Sequence, residues 1–152
     1  MKPLTIAYYF PNSSTHSKTV QYEFNANDLY NNEQCLSITR SSKLTFKSGQ
    51  DKKNIFTVTK EEWPSFVNWI KQEVINPQKT KSKPCYLSWP DKAVKFSFNR
   101  DEKYKGSRFI CIKKKETGVP GQLSYQNLAI AKDQWDQFKQ WIREVIKEEP
   151  GF

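Results

Sequence analysis

An α+β fold of two β-β-β-β-α repeats is predicted, each a curved antiparallel sheet with one helix, packed together as an intramolecular pseudo-dimer. Three features of the 152-residue sequence predict it. The stretch KTVQYEFNANDLYNNEQCLSITR from Lys18 recurs as KAVKFSFNRDEKYKGSRFICIKK from Lys92, at a constant offset of 74. Within it Val20, Tyr22, Phe24, Asn25, Tyr30, Leu36 and Ile38 fall on Val94, Phe96, Phe98, Asn99, Tyr104, Ile110 and Ile112. A second block recurs at offset 72, where Lys60, Trp63, Phe66, Trp69 and Ile70 fall on Lys132, Trp135, Phe138, Trp141 and Ile142. Two blocks in the same order, with a variable stretch between them, mark a duplicated unit. Inside each copy the apolar period changes from two to that of a helix.

Each element follows from its own pattern. Apolar and polar residues alternate over 20–24 and 34–40, and again over 94–98 and 108–114, as in half-buried strands. Residues 25–33 and 99–107 are polar, the second with Gly106, and read as hairpin connections. Earlier strands are expected at 4–10 and 85–89, each followed by a proline (Pro11, Pro90), and later ones at 54–58 and 126–131. Thr59 offers a helix N-cap ahead of Glu61 and Glu62. Trp63, Phe66, Trp69, Ile70 and Val74 then form a helical face, as do Trp135, Phe138, Trp141, Ile142, Val145 and Ile146. Pro64 falls early enough to be tolerated. Residues 1–76 make the first repeat, the aperiodic 77–84 a linker, and 85–152 the second, together one compact unit. The two Trp/Phe-rich faces exceed what a small sheet covers, so the helices are expected to pair.

Composition removes several function classes. No apolar run reaches the length of a spanning helix, and the N-terminus is too aromatic for a secretory signal. Cys35, Cys85 and Cys111 share no metal-ligand spacing and read as reduced thiols, so the protein is expected inside the cell, in the nucleus if the source is eukaryotic. The one histidine, His16, lies in a Ser/Thr-rich stretch, and no nucleophile–base set can be assembled around it. Gly118 and Gly121 are not followed by the Lys-Ser/Thr of a phosphate loop. The expectation is a non-enzyme without cofactor or metal.

The net charge of +9 divides into +2 for residues 1–76 and +7 for 77–152. A basic surface draws polyanions by steering and counterion release. One helix covers one face of a sheet, so the other face is open. If Leu36 and Ile38 face the helix, Cys35, Ser37 and Thr39 face away; if Ile110 and Ile112 do, then Phe109, Cys111 and Lys113 face away. An open sheet with lysines and a ring is the form of a single-strand platform. Lys95, Arg100, Lys105, Arg108, Lys113, Lys114 and Lys115 are the candidate phosphate contacts, with Arg40 and Lys43 added from the first repeat. Phe109 and Tyr104 are the candidate stacking rings. Two alternatives stand beside this: Phe109 buried in the contact between repeats, and a protein–protein adaptor whose charge serves solubility.

The stretch YKGSRFICIKKK…NLAIAKDQW with the following FKQWI resembles the core of the transcriptional coactivator positive cofactor 4 family. Tyr104, Lys105 and Gly106 match its turn, Ile110 and Ile112 its aliphatics, Lys113 its basic strand end, and Gln134 and Trp135 its helix start. The same stretch is similar to the purine-rich-element-binding (PUR) repeat of that Whirly-like superfamily, which occurs in tandem. The resemblance implies paired repeats that bind single-stranded DNA, ahead of RNA, with low sequence specificity, beside transcription or replication machinery; a further homodimer is compatible with it. The first repeat departs from the pattern, with Asn31 and Asn32 for Lys105 and Gly106 and Thr39 for Lys113, which reduces its expected share in binding.

Overall fold

The computed structural model describes residues 2–9, 17–30, 33–44, 52–76, 81–118 and 123–148. His16, Phe10, Pro11, Asn31, Asn32 and Gly121 lie outside them, as do 77–80 of the expected linker and the 149–152 tail. The first repeat forms a meander of β1 (Leu4–Tyr9), β2 (Ser17–Tyr30), β3 (Glu33–Leu44) and β4 (Lys52–Thr59). The second forms β5 (Cys85–Trp89), β6 (Lys92–Tyr104), β7 (Ser107–Gly118) and β8 (Leu123–Ala131). All neighbouring strands are antiparallel. The helix α1 (Trp63–Trp69) continues as a π-helical turn, Ile70–Ile75, and a 3-10 turn, Lys132–Gln134, leads into α2 (Trp135–Glu148). No helix among the described residues is long and apolar enough to cross a membrane.

The middle strands of each sheet are longer than their alternation indicates. Residues expected to connect them stay paired across a bulge, between Asn25 and Asp28 in one copy and between Asn99 and Glu102 in the other. The repeated asparagine explains this. Asn25 Oδ1 accepts the Asn27 N–H at 2.9 Å and Asn99 Oδ1 accepts the Asp101 N–H at 3.1 Å, which satisfies a donor that the bulge frees from the ladder. The second arm closes at Lys105 and Gly106, whose φ values of 48° and 82° are both positive, as a two-residue type I′ turn requires.

Alternation sets the core faces. Val20, Tyr22, Leu36, Ile38, Phe56 and Val58 are buried on one sheet, and Val94, Phe96, Ile110, Ile112, Leu128 and Ile130 on the other. These residues, Ile110 excepted, and both helices make one continuous core. Thr59 and Glu62 bond reciprocally in the turn ahead of α1, whose N-cap is Glu62 rather than the expected Thr59: Glu62 N–H donates to Thr59 Oγ1 at 3.3 Å, and Thr59 N–H to Glu62 Oε1 at 2.9 Å.

The helices are exchanged between repeats. Each begins on its own sheet, with Trp63 against Phe24 at 6.2 Å between centroids and Trp135 against Phe98 at 5.7 Å. Each then crosses to the other sheet. Phe66 and Trp69 pack on Phe96 at 5.1 and 6.0 Å, and Phe138 and Trp141 on Tyr22 at 5.1 and 6.3 Å. The indoles complete the exchange: Trp69 Nε1 donates to Lys83 O, just before β5, and Trp141 Nε1 to Lys2 O, just before β1. No ring of α1 touches a ring of α2 among the described residues; the two helices meet where Arg143 of α2 donates to Asn76 Oδ1, at the end of the π-helical turn, at 3.3 Å. The surplus aromatic surface is covered by the opposite sheet, at roughly 1.5–3 kcal/mol for each ring fully buried.

Two ion pairs from Glu62 tie the halves together. Lys114, expected on the surface, is 3% exposed. It shares the side of β7 that carries Ile110 and Ile112, and its Nζ reaches Glu62 Oε1 at 2.7 Å and Thr57 O at 2.9 Å. Glu62 Oε2 faces Lys92 Nζ at 3.7 Å, an ion pair but too long for a hydrogen bond. The equivalent place in the other half holds Gln134, whose Oε1 accepts from the Tyr22 hydroxyl and whose Nε2 donates to the Tyr8 hydroxyl, both at 2.6 Å. Arg40 Nε also donates to the Tyr22 hydroxyl, at 3.3 Å. Burial raises the Tyr22 phenol above its ordinary range, against the pull of Arg40, so it stays a donor at neutral pH.

Removing one member of a buried pair leaves the other charge uncompensated. Glu62→Gln is therefore expected to lower unfolding free energy by about 3–5 kcal/mol in urea denaturation, and Glu62→Gln with Lys114→Met to recover most of it. A loss below about 1 kcal/mol for the single variant would mean that the pair does not hold the halves together.

Candidate nucleic-acid interface

Because the helices occupy the core faces, the opposite face of each sheet carries the outward residues of the alternation. On the second sheet these include Tyr86 and Ser88 of β5, Ala93 and Lys95 of β6, Lys113, Lys115 and Thr117 of β7, and Leu123, Tyr125 and Asn127 of β8. Register aligns four of them. Tyr86 pairs with Lys95, Lys95 with Lys115 and Lys115 with Tyr125, forming one row across all four strands. Tyr86 is 69% exposed and Tyr125 67%. Lys95 Nζ lies over the Tyr86 ring at 5.5 Å, and Lys115 Nζ over the Tyr125 ring at 5.9 Å. The row spans roughly 14 Å, three interstrand spacings. A groove of about 290 Å³ runs beside Tyr86, Ser88, Lys95, Lys115 and Thr117.

Lys95 and Lys115 stand directly opposite one another, and neither meets a carboxylate within 4 Å among the described residues. Like charges opposed across a strand pair destabilise a sheet. An anion laid between them removes that cost.

The other expected contacts divide. Lys113 lies on the same face but is held by Glu102 Oε2 at 2.7 Å, a hydrogen bond that keeps the Glu102 carboxyl below its ordinary value. Arg108 is exposed on the hairpin arm and paired with Asp101 at 2.8 Å, while Lys132 shares that carboxylate at 3.3 Å. Tyr104, 62% exposed, and Lys105 stand at the hairpin tip, the ammonium 5.4 Å from the ring centroid. Arg100 is half-buried over Phe98 and donates to Ser82 Oγ at 3.3 Å, which places it beside the chain that enters β5. Lys114 is withdrawn into the core, as described above. Arg40 shares the core-facing side of β3 with Leu36 and Ile38 and lies over the Tyr22 ring at 5.9 Å, away from the outer face. Lys43 is exposed on the outer face of the first sheet, in a groove of about 390 Å³ shared with Gln21, Glu23, Ser41 and Lys53.

Phe109 is half-buried in a cleft where the two repeats meet, with Arg40 and Lys18 among its neighbours there. That is the alternative placement weighed for it, in place of an open platform. Cys111, beside it, is buried.

The equivalent row of the first sheet is Thr5, Gln21, Ser41 and Lys53, in the same register and without an aromatic. Tyr86 and Tyr125 were not among the expected stacking rings. The alternation of Cys85–Trp89 already turns Tyr86 outward, and β8 begins three residues earlier than expected, which brings Tyr125 into the sheet. No group of three or more His, Cys, Asp and Glu that could hold a metal occurs among the described residues. The sequence matches no family model and no curated protein.

Burial, then the Glu102 charge, push the Cys111 thiol up to about 11, and burial raises Cys35 as well. Since the thiolate is the reactive form, both are expected to alkylate in the native chain at pH 8 far more slowly than in urea, read by peptide mass spectrometry. Native and urea rates that agree at Cys111 would contradict its placement.

Proposed function

We propose that the protein binds single-stranded nucleic acid, without catalysis and with low sequence specificity, on the outer face of the second repeat's sheet. The observation that carries this reading is the Tyr86–Lys95–Lys115–Tyr125 row. Two exposed rings flank two opposed, uncompensated ammonium groups at a spacing set by the strands. Bases stack on Tyr86 and Tyr125, and the phosphodiester between them lies across Lys95 and Lys115. Stacking of this kind contributes about 1–3 kcal/mol per base and accepts any base, which accounts for low specificity. A duplex keeps its bases paired and stacked on each other, so it offers these rings nothing.

Lys113 joins the surface only as far as it leaves Glu102. Tyr104 and Lys105 extend it at the hairpin tip. Lys43 is the first repeat's contribution, at the margin. The resemblance to the positive cofactor 4 and PUR group supports the same reading, a DNA ligand ahead of RNA and a role beside transcription or replication machinery. The adaptor reading is less favoured, because an apolar partner strand would leave Lys95 and Lys115 opposed and unneutralised.

Titration of a labelled 5′-hydroxyl oligothymidine with the full chain tests this. Tyr86→Ala or Tyr125→Ala is expected to weaken binding by about 1–3 kcal/mol each, while Lys115→Gln lowers the slope of log affinity against log salt by about 0.7. Gln21→Ala in the equivalent first-repeat row changes neither. Affinity unmoved by both tyrosine variants, or a preference for duplex, would refute the assignment.

A further inference from the structure

The pseudo-symmetry creates two junctions where the edge of one sheet meets the other, and only one is filled. At the filled junction the Thr57 N–H and hydroxyl lie 2.8 and 3.1 Å from Gln126 Oε1, and Lys114 bridges Thr57 O to Glu62. The repeat offsets give the counterpart of each group. Ala129 stands for Thr57, Asn54 for Gln126, Arg40 for Lys114, Lys18 for Lys92 and Gln134 for Glu62. Three of these replacements remove a closing contact, while the two cations are kept in kind. Alanine has no hydroxyl, asparagine is one methylene shorter than glutamine, and Gln134 carries no charge to pair with the cations. In place of the plug is a cleft of about 470 Å³, within the range of small-ligand sites.

Three cations line this cleft: Lys18, Arg40 and Lys52. None has a carboxylate within 4 Å among the described residues. Glu102, the carboxylate in the lining, is already engaged by Lys113 at 2.7 Å and by Asn99 at 3.2 Å. Burial, followed by the charges of Arg40 and Lys52, pulls the Lys18 ammonium below its ordinary range, and the Asp133 carboxylate offsets only part of that, so the three cations feel one another. Arg40 commits its Nε to the Tyr22 hydroxyl. Asn54, Asn127, the half-buried Phe109 and the exposed Tyr104 are among the other residues of the wall.

We propose that this junction is a second binding site, distinct from the outer row, that takes the phosphate of a nucleotide: Lys18, Arg40 and Lys52 neutralise the phosphate, and Phe109 meets the base. Arginine and lysine converging on one anion give the short, charge-assisted hydrogen bonds that phosphate recognition uses. Asn54 and Asn127 supply amide donors and acceptors for the sugar or the base edge. The phosphate can belong to a free nucleoside monophosphate or to the 5′-phosphorylated end of a strand. Only the second source rests on the function proposed above.

Calorimetric titration of the full chain with adenosine 5′-monophosphate, adenosine and inorganic phosphate separates these cases, alongside 5′-phosphorylated and 5′-hydroxyl forms of one oligonucleotide. Saturable monophosphate binding is expected, with none for adenosine and with displacement by inorganic phosphate. Lys52→Gln, at the exposed start of an edge strand where folding is not at stake, is expected to weaken it roughly tenfold, the share of one charge-assisted contact, and Lys115→Gln to leave it unchanged. A 5′-phosphate that strengthens oligonucleotide binding, and loses that advantage in Lys52→Gln, identifies the strand end as a source. The proposal is overturned if the monophosphate fails to bind and the 5′-phosphate adds nothing, or if binding survives Lys52→Gln and Lys18→Gln undiminished. Failure of the 5′-hydroxyl oligonucleotide to bind would sink the outer-face reading alone.

Discussion

The crossing of each helix onto the other repeat's sheet, with Phe66 and Trp69 on Phe96 and Phe138 and Trp141 on Tyr22, is the constraint on which the rest of the molecule depends. A helix that covered only its own sheet would leave each repeat with a small, separate core. Crossing merges the two sets of apolar residues into one cluster. Burial rises with the size of a core, so the merged unit gains stability that a domain of about 70 residues struggles to reach alone. It also fixes which faces are left over. Both helices are spent on the inner faces, and the outer faces are free to carry charge and exposed rings.

The two halves solve the same packing problem with different chemistry. A cation lies over a buried ring in both: buried Lys114 over Phe96 at 5.7 Å, and half-buried Arg40 over Tyr22 at 5.9 Å. One half neutralises its cation with Glu62. The other sets Gln134 and two tyrosine hydroxyls there, and its cations meet no carboxylate within 4 Å among the described residues. Covalent connection within one chain permits this, because neither half must fit a copy of itself. The outer faces diverge in the opposite sense, with aromatic and lysine residues in the second repeat where the first has Thr5, Gln21, Ser41 and Lys53. The excess charge of the second half thus shows in the outer row of its sheet, whereas the junction cleft draws its cations, Lys18, Arg40 and Lys52, from the first half.

The repeat, the strand–strand–strand–strand–helix order and the core positions were legible because alternation and helical spacing are local patterns. The Gly106 turn was legible for the same reason, whereas α1 takes its N-cap at Glu62, three residues after the expected Thr59. What lay beyond reach was the partner of each amphipathic face, since the spacing of Trp63, Phe66 and Trp69 says that they are covered and not by which sheet. The Lys113–Lys115 run misled for a simpler reason. Read as one charge cluster, it hides the period of two that sends Lys114 inward with Ile110 and Ile112 while Lys113 and Lys115 stay outside. Arg40 follows Leu36 and Ile38 inward by the same parity. Tyr125 was missed because β8 was begun too late, at a point where serine and glutamine weaken the strand signal.

The central claim is that one outer face of a symmetric scaffold holds the strand. Backbone amide chemical-shift mapping during titration with a 5′-hydroxyl oligothymidine addresses it most directly. The account predicts shifts centred on Tyr86, Lys95, Lys115 and Tyr125, with Thr5, Gln21, Ser41 and Lys53 unmoved. Shifts of equal size on both sheets, or shifts confined to the first, would contradict it.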